Sequence, residues 1–351
     1  MRPFVRIERG DPETAHEPQR SDDKPGLGFQ VEHDLAHVRV GSIDHVEIGK
    51  AGNGHAEEGF GSFALAPIIV DRPAAGSNHV DLPEELGDAV SGRQDDRIDL
   101  KTVVATGRDI DRTRAAFDKS ESLLVTALDV TDESQIKRAV AEALERFDTI
   151  DVLVNNAGYG HLGFFEETTR ADAEAQFATN VHGVFNVTRA VLPTMRRQRD
   201  GRIFNISSIG GVRGGSGYAL YAASKFALEG FSEALAAEVA CFGIRVTIVQ
   251  PGYFRTDFLT PESIRFGEAS IEDYAEVSSA MREVYTSYNH QQLGDPSKLA
   301  DAIVRLAGEA APPLRYAAGR DAYDIVVEKA AELAAGVEQW RDLSLSTDGT
   351  F

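Results

Sequence analysis

The stretch "SLLVTALDVTDESQIKRAVAEALERFDTIDVLVNNAG", Ser122 to Gly158, decides the fold. Its first nine residues read as an apolar strand. The next segment places Ile136, Val140, Leu144 and Phe147 at helical spacing on one face. Acidic residues open that helix, where the helix dipole favours negative charge. "IDVLVNNAG" is then a second strand, ending in two asparagines and a glycine. Strand, helix, strand in this order predicts parallel pairing across a helical crossover.

The pattern extends both ways. Upstream, "TVVATGRDIDRTRAAF" from Thr102 is a strand that runs into a helix at Gly107-Arg108-Asp109. Downstream, "ADAEAQFATNVHGVFNVTRAVLPTMRRQ" is one long helix and "GRIFNISSIGG" the next strand. "YAASKFALEGFSEALAAEVACFG" is a helix closed by Gly243, and "IRVTIVQPG" is a strand stopped by Pro251-Gly252. The fold class is therefore α/β, a doubly wound parallel sheet of Rossmann type over residues 101–351. In such sheets ligands bind at the carboxyl ends of the strands, where Asp129, Asn155-Asn156, Ser207-Ser208 and Pro251-Gly252 gather. Residues 1–100 differ. They hold six of the nine histidines, scattered glycines and no sustained helical period, and are expected to be poorly ordered.

The bulk chemistry narrows the function. A net charge of -20 argues against nucleic acid and against an anionic membrane surface, both of which need clustered Lys and Arg. No apolar run is long enough to span a bilayer, and residues 1–11 lack the apolar core of a secretory signal. Cys241 is the single cysteine, so no internal disulfide forms and a reducing, cytoplasmic setting is expected.

Tyr221 and Lys225 lie four apart at the start of a helix and share one face. A lysine ammonium beside a phenol lowers its pKa from about 10 toward neutrality, which yields a general acid/base for an alcohol or carbonyl oxygen. Ser208, at the end of the preceding strand, can bind the same oxygen. A packed tyrosine beside a surface lysine is the plainer reading of the pair alone.

The ordered set "LDV", "NNAG", "TNVHG", "NISS", "YAASK" and "PGYFRT" resembles the short-chain dehydrogenase/reductase family over roughly residues 102–324. The resemblance implies a catalytic tetrad of Asn180, Ser208, Tyr221 and Lys225. Tyr221 would be the acid/base, Ser208 would hold the substrate oxygen, Lys225 would lower the phenol pKa and bind the nicotinamide ribose, and Asn180 would anchor a relay water. It also implies cofactor contacts from Asp129, Val130, Asn156, Ala157, Gly158, Tyr221, Lys225, Pro251, Gly252 and Thr256. At the end of the second strand an arginine accommodates the 2′-phosphate of NADP, whereas an acidic residue selects NAD. Arg108 therefore favours NADP over NAD; the alternative is a solvated strand end with Asp109 as the helix cap. The implied activity is interconversion of an alcohol and a carbonyl on a small, apolar, steroid- or retinol-like substrate, in a homodimer or homotetramer, with residues 257–292 as a substrate lid.

The family's first strand and its TGxxxGxG turn are missing ahead of Thr102. "GFGSFA" at Gly59 and "GLGFQV" at Gly26 fit a glycine pattern only by chance. Two outcomes follow: a surrogate strand such as "FALAPIIVD" fills the inner slot, or the chain is an inactive relative or damaged gene product acting as a binding protein. "HDLAH" sets His33 and His37 at zinc spacing and is read as coincidence; no metal is expected. His161 is read as packed or surface, and Cys241 as a small apolar residue.

Overall fold

The computed structural model describes residues 68–71, 102–117, 120–260, 263–267 and 269–349. His33, His37 and the glycine patterns at Gly26 and Gly59 lie outside these residues.

The chain runs through β1 (Ile68–Asp71), β2 (Thr102–Gly107), α1 (Ile110–Ala115), β3 (Leu123–Ala127), α2 (Glu133–Phe147) and β4 (Val152–Asn155). It continues through β5 (Gly160–Leu162), α3 (Arg170–Phe177), α4 (Val184–Gln198), β6 (Gly201–Ile206), α5 (Ala219–Val239) and β7 (Ile244–Pro251). The last part holds β8 (Ile264–Phe266), α6 (Ala275–Tyr288), α7 (Pro296–Gly308), β9 (Arg315–Ala318), α8 (Arg320–Gln339) and α9 (Arg341–Leu345).

Seven strands form one sheet in the order β3-β2-β1-β4-β6-β7-β9. This is the doubly wound α/β arrangement expected from the alternation of strands and helices. β2, β3, β4, β6, β7 and β9 pair in parallel. β1 does not. It fills the inner slot expected for a surrogate strand, antiparallel to both neighbours, with Ile69 opposite Val104 on one side and Leu153 on the other. The segment expected to be irregular thus supplies the central rung of the sheet. Its direction matters for the site: Asp71 meets Thr102, the first residue of β2, so the chain leaves β1 at the sheet's amino edge. A parallel strand would deliver its following residues to the carboxyl edge.

Apolar residues from both sides make the core. Val104, Leu153, Ile203 and Val246 pack with Ile136 of α2, Val187 and Val191 of α4, and Leu235 of α5 on one face. Val152, Val154, Phe204 and Val249 pack with Ala307 of α7 on the other. Alternate strand residues feed opposite faces, so β4 and β6 contribute to both. The strand ends are fixed by caps: Asp109 accepts from the backbone N–H groups of Asp111 and Arg112 at the start of α1. Asp132 does the same for Ser134 and Gln135 of α2. Gly243 closes α5 at φ +77°, and a Cβ there would fall 2.2 Å from the Arg199 carbonyl.

The helix expected as one piece from Ala171 to Gln198 is helical throughout but widens into a π turn, Ala178–Gly183, between α3 and α4. Wide turns of this kind concentrate at functional sites, and Asn180 lies in this one.

Candidate active site

The carboxyl ends of β4, β6 and β7 and the first turn of α5 converge on one corner. Tyr221 projects from that first turn and is partly buried. Ser208, just beyond β6, hydrogen-bonds its phenol and accepts from Gly210 N at 3.0 Å. Lys225, one turn further along α5, is 6% exposed. Its ammonium donates to Ile206 O at 2.8 Å and lies 5.7 Å from the centre of the Tyr221 ring.

The electrostatics differ from the sequence expectation. Burial pushes the Tyr221 phenol up to about 12, and the Ser208 hydrogen bond offsets only part of that rise. Burial pulls Lys225 down to about 8, opposed by the Glu229 carboxylate. The lysine therefore does not bring the phenol toward neutrality in the chain alone. Its charge is itself costly in this corner, and it faces the Ile206 carbonyl rather than the phenol oxygen. At neutral pH Tyr221 holds its proton.

Asn180 is 1% exposed and clamps the strand that follows "NNAG". Its Oδ1 accepts from Tyr159 N at 3.1 Å, and its Nδ2 donates to Tyr159 O at 3.0 Å and to Ser224 Oγ at 3.1 Å. Both amide protons are spent in the protein. Gln176 of α3 extends the clamp, donating to Tyr159 O and accepting from His161 N at 2.7 Å. His161 itself is buried, with Nε2 3.2 Å from Asp172 Oδ1; it is packed rather than lining the mouth.

Of the remaining residues, Gly158 sits where an added Cβ would be 3.2 Å from Asn180 Oδ1 and 3.7 Å from Lys225 Nζ. Only glycine leaves room there for a ligand approaching the ammonium. Asn156 and Ala157 lie beside it, and Val130, Ala157 and Val184 line a recess with Asn155 and Gly183. The Asp129 carboxylate is occupied by the backbone N–H and hydroxyl of Thr131. Arg108 is exposed at the end of β2 and is close enough to Tyr159 to oppose, with Arg265, the rise that burial imposes on that phenol. Pro251 ends β7; Gly252 N donates to Ala318 O, and Thr256 caps the turn after it. Cys241 is exposed rather than buried as an apolar filler.

Residues 98–265 match the family described as short chain dehydrogenase. Over 248 residues the chain is 39% identical to oxidoreductase BOA17 of Botryotinia fuckeliana, an alignment spanning 70% of this chain and 90% of that one. The chain is a short-chain dehydrogenase. It is also 37% identical to retinol dehydrogenase 8 of Bos taurus, over 61% of this chain and 71% of that one. A short-chain dehydrogenase from Streptomyces avermitilis shares its fold with a TM-score of 0.63 at 39% identity, covering 71% and 91% of the two chains.

A nicotinamide dinucleotide, the family's cofactor, fits part of this site well. The Lys225 ammonium has three protons, and Ile206 O takes one; the other two have no partner among the described residues. A buried donor in that state is costly unless a ligand completes it, and a ribose diol would do so. The pyrophosphate finds less. With β1 reversed, the chain leaves the central strand at the amino edge, and among the described residues no glycine turn leads from that strand into a helix at the carboxyl edge.

Several supporting residues of the dehydrogenase carry no sequence signal. Asp321, in the first turn of α8, accepts from Tyr253 N at 2.7 Å and fixes the loop after β7. Glu229 of α5 is held by Gln250 and Arg315, each at 3.1 Å. Glu167, 3% exposed, accepts from Ser278 Oγ at 2.6 Å and ties α6 to the turn before α3. No fixed spacing links such partners, so only the fold reveals them.

Proposed function

We propose that this dehydrogenase uses NADPH to reduce an apolar ketone or aldehyde, with the reverse oxidation on the same site. The observation that carries the reading is the corner itself: a protonated Tyr221 phenol bonded to Ser208, beside a buried Lys225 whose ammonium gives one hydrogen bond among the described residues. The bound dinucleotide supplies the hydride. Ser208 and Tyr221 hold the carbonyl oxygen, and Tyr221 gives it a proton. A phenol that keeps its proton at neutral pH is the acid that reduction needs. Lys225 binds the nicotinamide ribose; Asn156, Ala157, Gly158, Pro251, Gly252 and Thr256 border the nicotinamide end. Val130 and Asp129 border the adenine. Asn180 acts as a positioning residue through Tyr159. Arg108, exposed at the end of β2, is the group that favours a 2′-phosphate.

Aromatic residues around Tyr221 support an apolar substrate. Phe258 packs 5.6 Å from its ring, and Tyr218, Tyr285 and Tyr288 pack on the cluster of Leu162, Leu259 and Ile264. A relative named for retinol agrees with this. The single cysteine and the acidic charge fit a cytoplasmic protein. Phe226, 47% exposed on α5, fits burial of that helix in a homodimer or homotetramer.

A second reading, an inactive relative that binds a partner, is favoured by one observation: the reversed β1. Titration of NADPH against the full chain, read by the cofactor's own fluorescence, separates the two. Micromolar binding, about tenfold weaker in Arg108→Ala and weaker for NADH, is the expected result; no binding at millimolar NADPH by a folded chain overturns the enzymatic reading.

A further inference from the structure

We propose that Tyr285 of α6 binds the substrate through a second oxygen, distinct from the one that Tyr221 protonates. The ligand class is an apolar ketone with another acceptor oxygen close to the reacting carbonyl, such as a diketone. The inference rests on the reading of the corner as a carbonyl-reducing site.

Ser278, Met281, Tyr285 and Tyr288 recur at the three- and four-residue spacing that lines one face of α6. Three of the four have fixed partners in the body of the protein. Ser278 donates to Glu167. Met281 packs on Gly217, so closely that a Cβ there would strike its sulfur. Tyr288 meets Tyr253 edge-on at 5.4 Å. Gly217 stands four residues before Tyr221, and Tyr253 belongs to the loop after β7. Tyr285 lies between these contacts in sequence, with its phenol near those of Tyr253, Tyr218 and Tyr221. It packs with Tyr218 and Phe258 on one apolar cluster, and Phe258 in turn packs on Tyr221.

The hydroxyls divide the same way. Tyr218 donates to Arg213 O at 3.3 Å, Tyr221 is bonded to Ser208, and Tyr253 has a partner of its own. Tyr285 alone of these four has no hydrogen bond to any described residue. Burial, with Tyr253, Tyr218 and Tyr221 nearby, drives its phenol far above the usual range, so it stays a neutral donor at any working pH. A neutral donor without a partner among the described residues, packed on an apolar cluster, selects for an acceptor on the ligand.

The test compares 1-phenyl-1,2-propanedione with propiophenone, which differ by one carbonyl, on the full chain and on Tyr285→Phe. Calorimetric binding of each ketone is measured without cofactor, and kcat/KM with NADPH. The expected result is about a tenfold loss of dione affinity and of dione kcat/KM in Tyr285→Phe, the scale of one lost hydrogen bond. Propiophenone should stay within twofold, with NADPH affinity and melting temperature unchanged. Equal losses for both ketones, or no loss for either, overturn the proposal. Failure of the enzymatic reading looks different: no turnover in either chain, with the calorimetric difference for the dione retained, removes the reductase and keeps the Tyr285 contact.

Discussion

The inner slot of the sheet and the tetrad corner are neighbours built on different terms. β6 and β7 share six parallel residue pairs. Side-chain bonds tie the adjacent strands as well, with Asn155 Nδ2 2.8 Å from Asn205 Oδ1 and Asn205 Nδ2 2.8 Å from Ser232 Oγ. β1 has only three pairs with each neighbour, and its direction is reversed. Closing the sheet needs only a strand's donors and acceptors, and an antiparallel strand supplies them as well as a parallel one. Delivering a loop to the cofactor edge needs direction. A fold can therefore keep its architecture at a position where it changes its chemistry.

Three substitutions test that contrast, in order of expected effect. At the corner, Tyr221→Phe removes the proton donor but little packing. A fall in kcat of about a thousandfold is expected, with NADPH affinity and melting temperature unchanged; near-normal turnover in a stopped-flow assay would give the proton to another group. In the slot, Val70→Pro takes a backbone N–H from a strand paired on both sides. It should destabilise the chain by about 3 kcal/mol, seen as a lower urea midpoint. An unchanged midpoint would mean that β1 contributes nothing to the sheet. Asp109→Ala, a cap beside the slot's far neighbour, should cost about 1 kcal/mol and leave Tyr221 chemistry intact.

The corner also has a pH signature between the last two in size. Lys225 titrates near 8 in the folded chain and 10.5 when exposed, so the unfolded chain holds the proton more tightly. Stability then rises with pH between those values. Between pH 7.5 and 9.5 the gain is about 2 kcal/mol, and Lys225→Met should abolish it. Above pH 10 Tyr221 acts oppositely: its folded value of about 12 exceeds the unfolded 10, so its contribution is lost as pH rises from 10 through 12.

Much of this was legible in the sequence, for a physical reason. Hydrophobic period is a local property, and the run from Leu123 to Asn155 carries it without ambiguity. The fixed order of short motifs places Asn180, Ser208, Tyr221 and Lys225 on the elements that bring them together. What stayed hidden depends on neighbours rather than on period. "IIVD" reads the same in either direction, so its reversal has no sequence signature. The π turn around Asn180 keeps a helical pattern. The lowering of the Tyr221 phenol failed as an expectation because i and i+4 spacing fixes a face, not the burial that dominates there. Asp321 and Tyr285 act across gaps of dozens of residues, which no local pattern spans.

The bond between Glu167 and Ser278 anchors α6 near its start. Ser278 stands near the start of α6 and Tyr288 at its end, ten residues or about 15 Å along the axis. Between them Met281 packs on Gly217, and Tyr288 closes against Tyr253. The helix is thus tied near both ends, by a buried carboxylate at one and by an edge-on aromatic pair at the other.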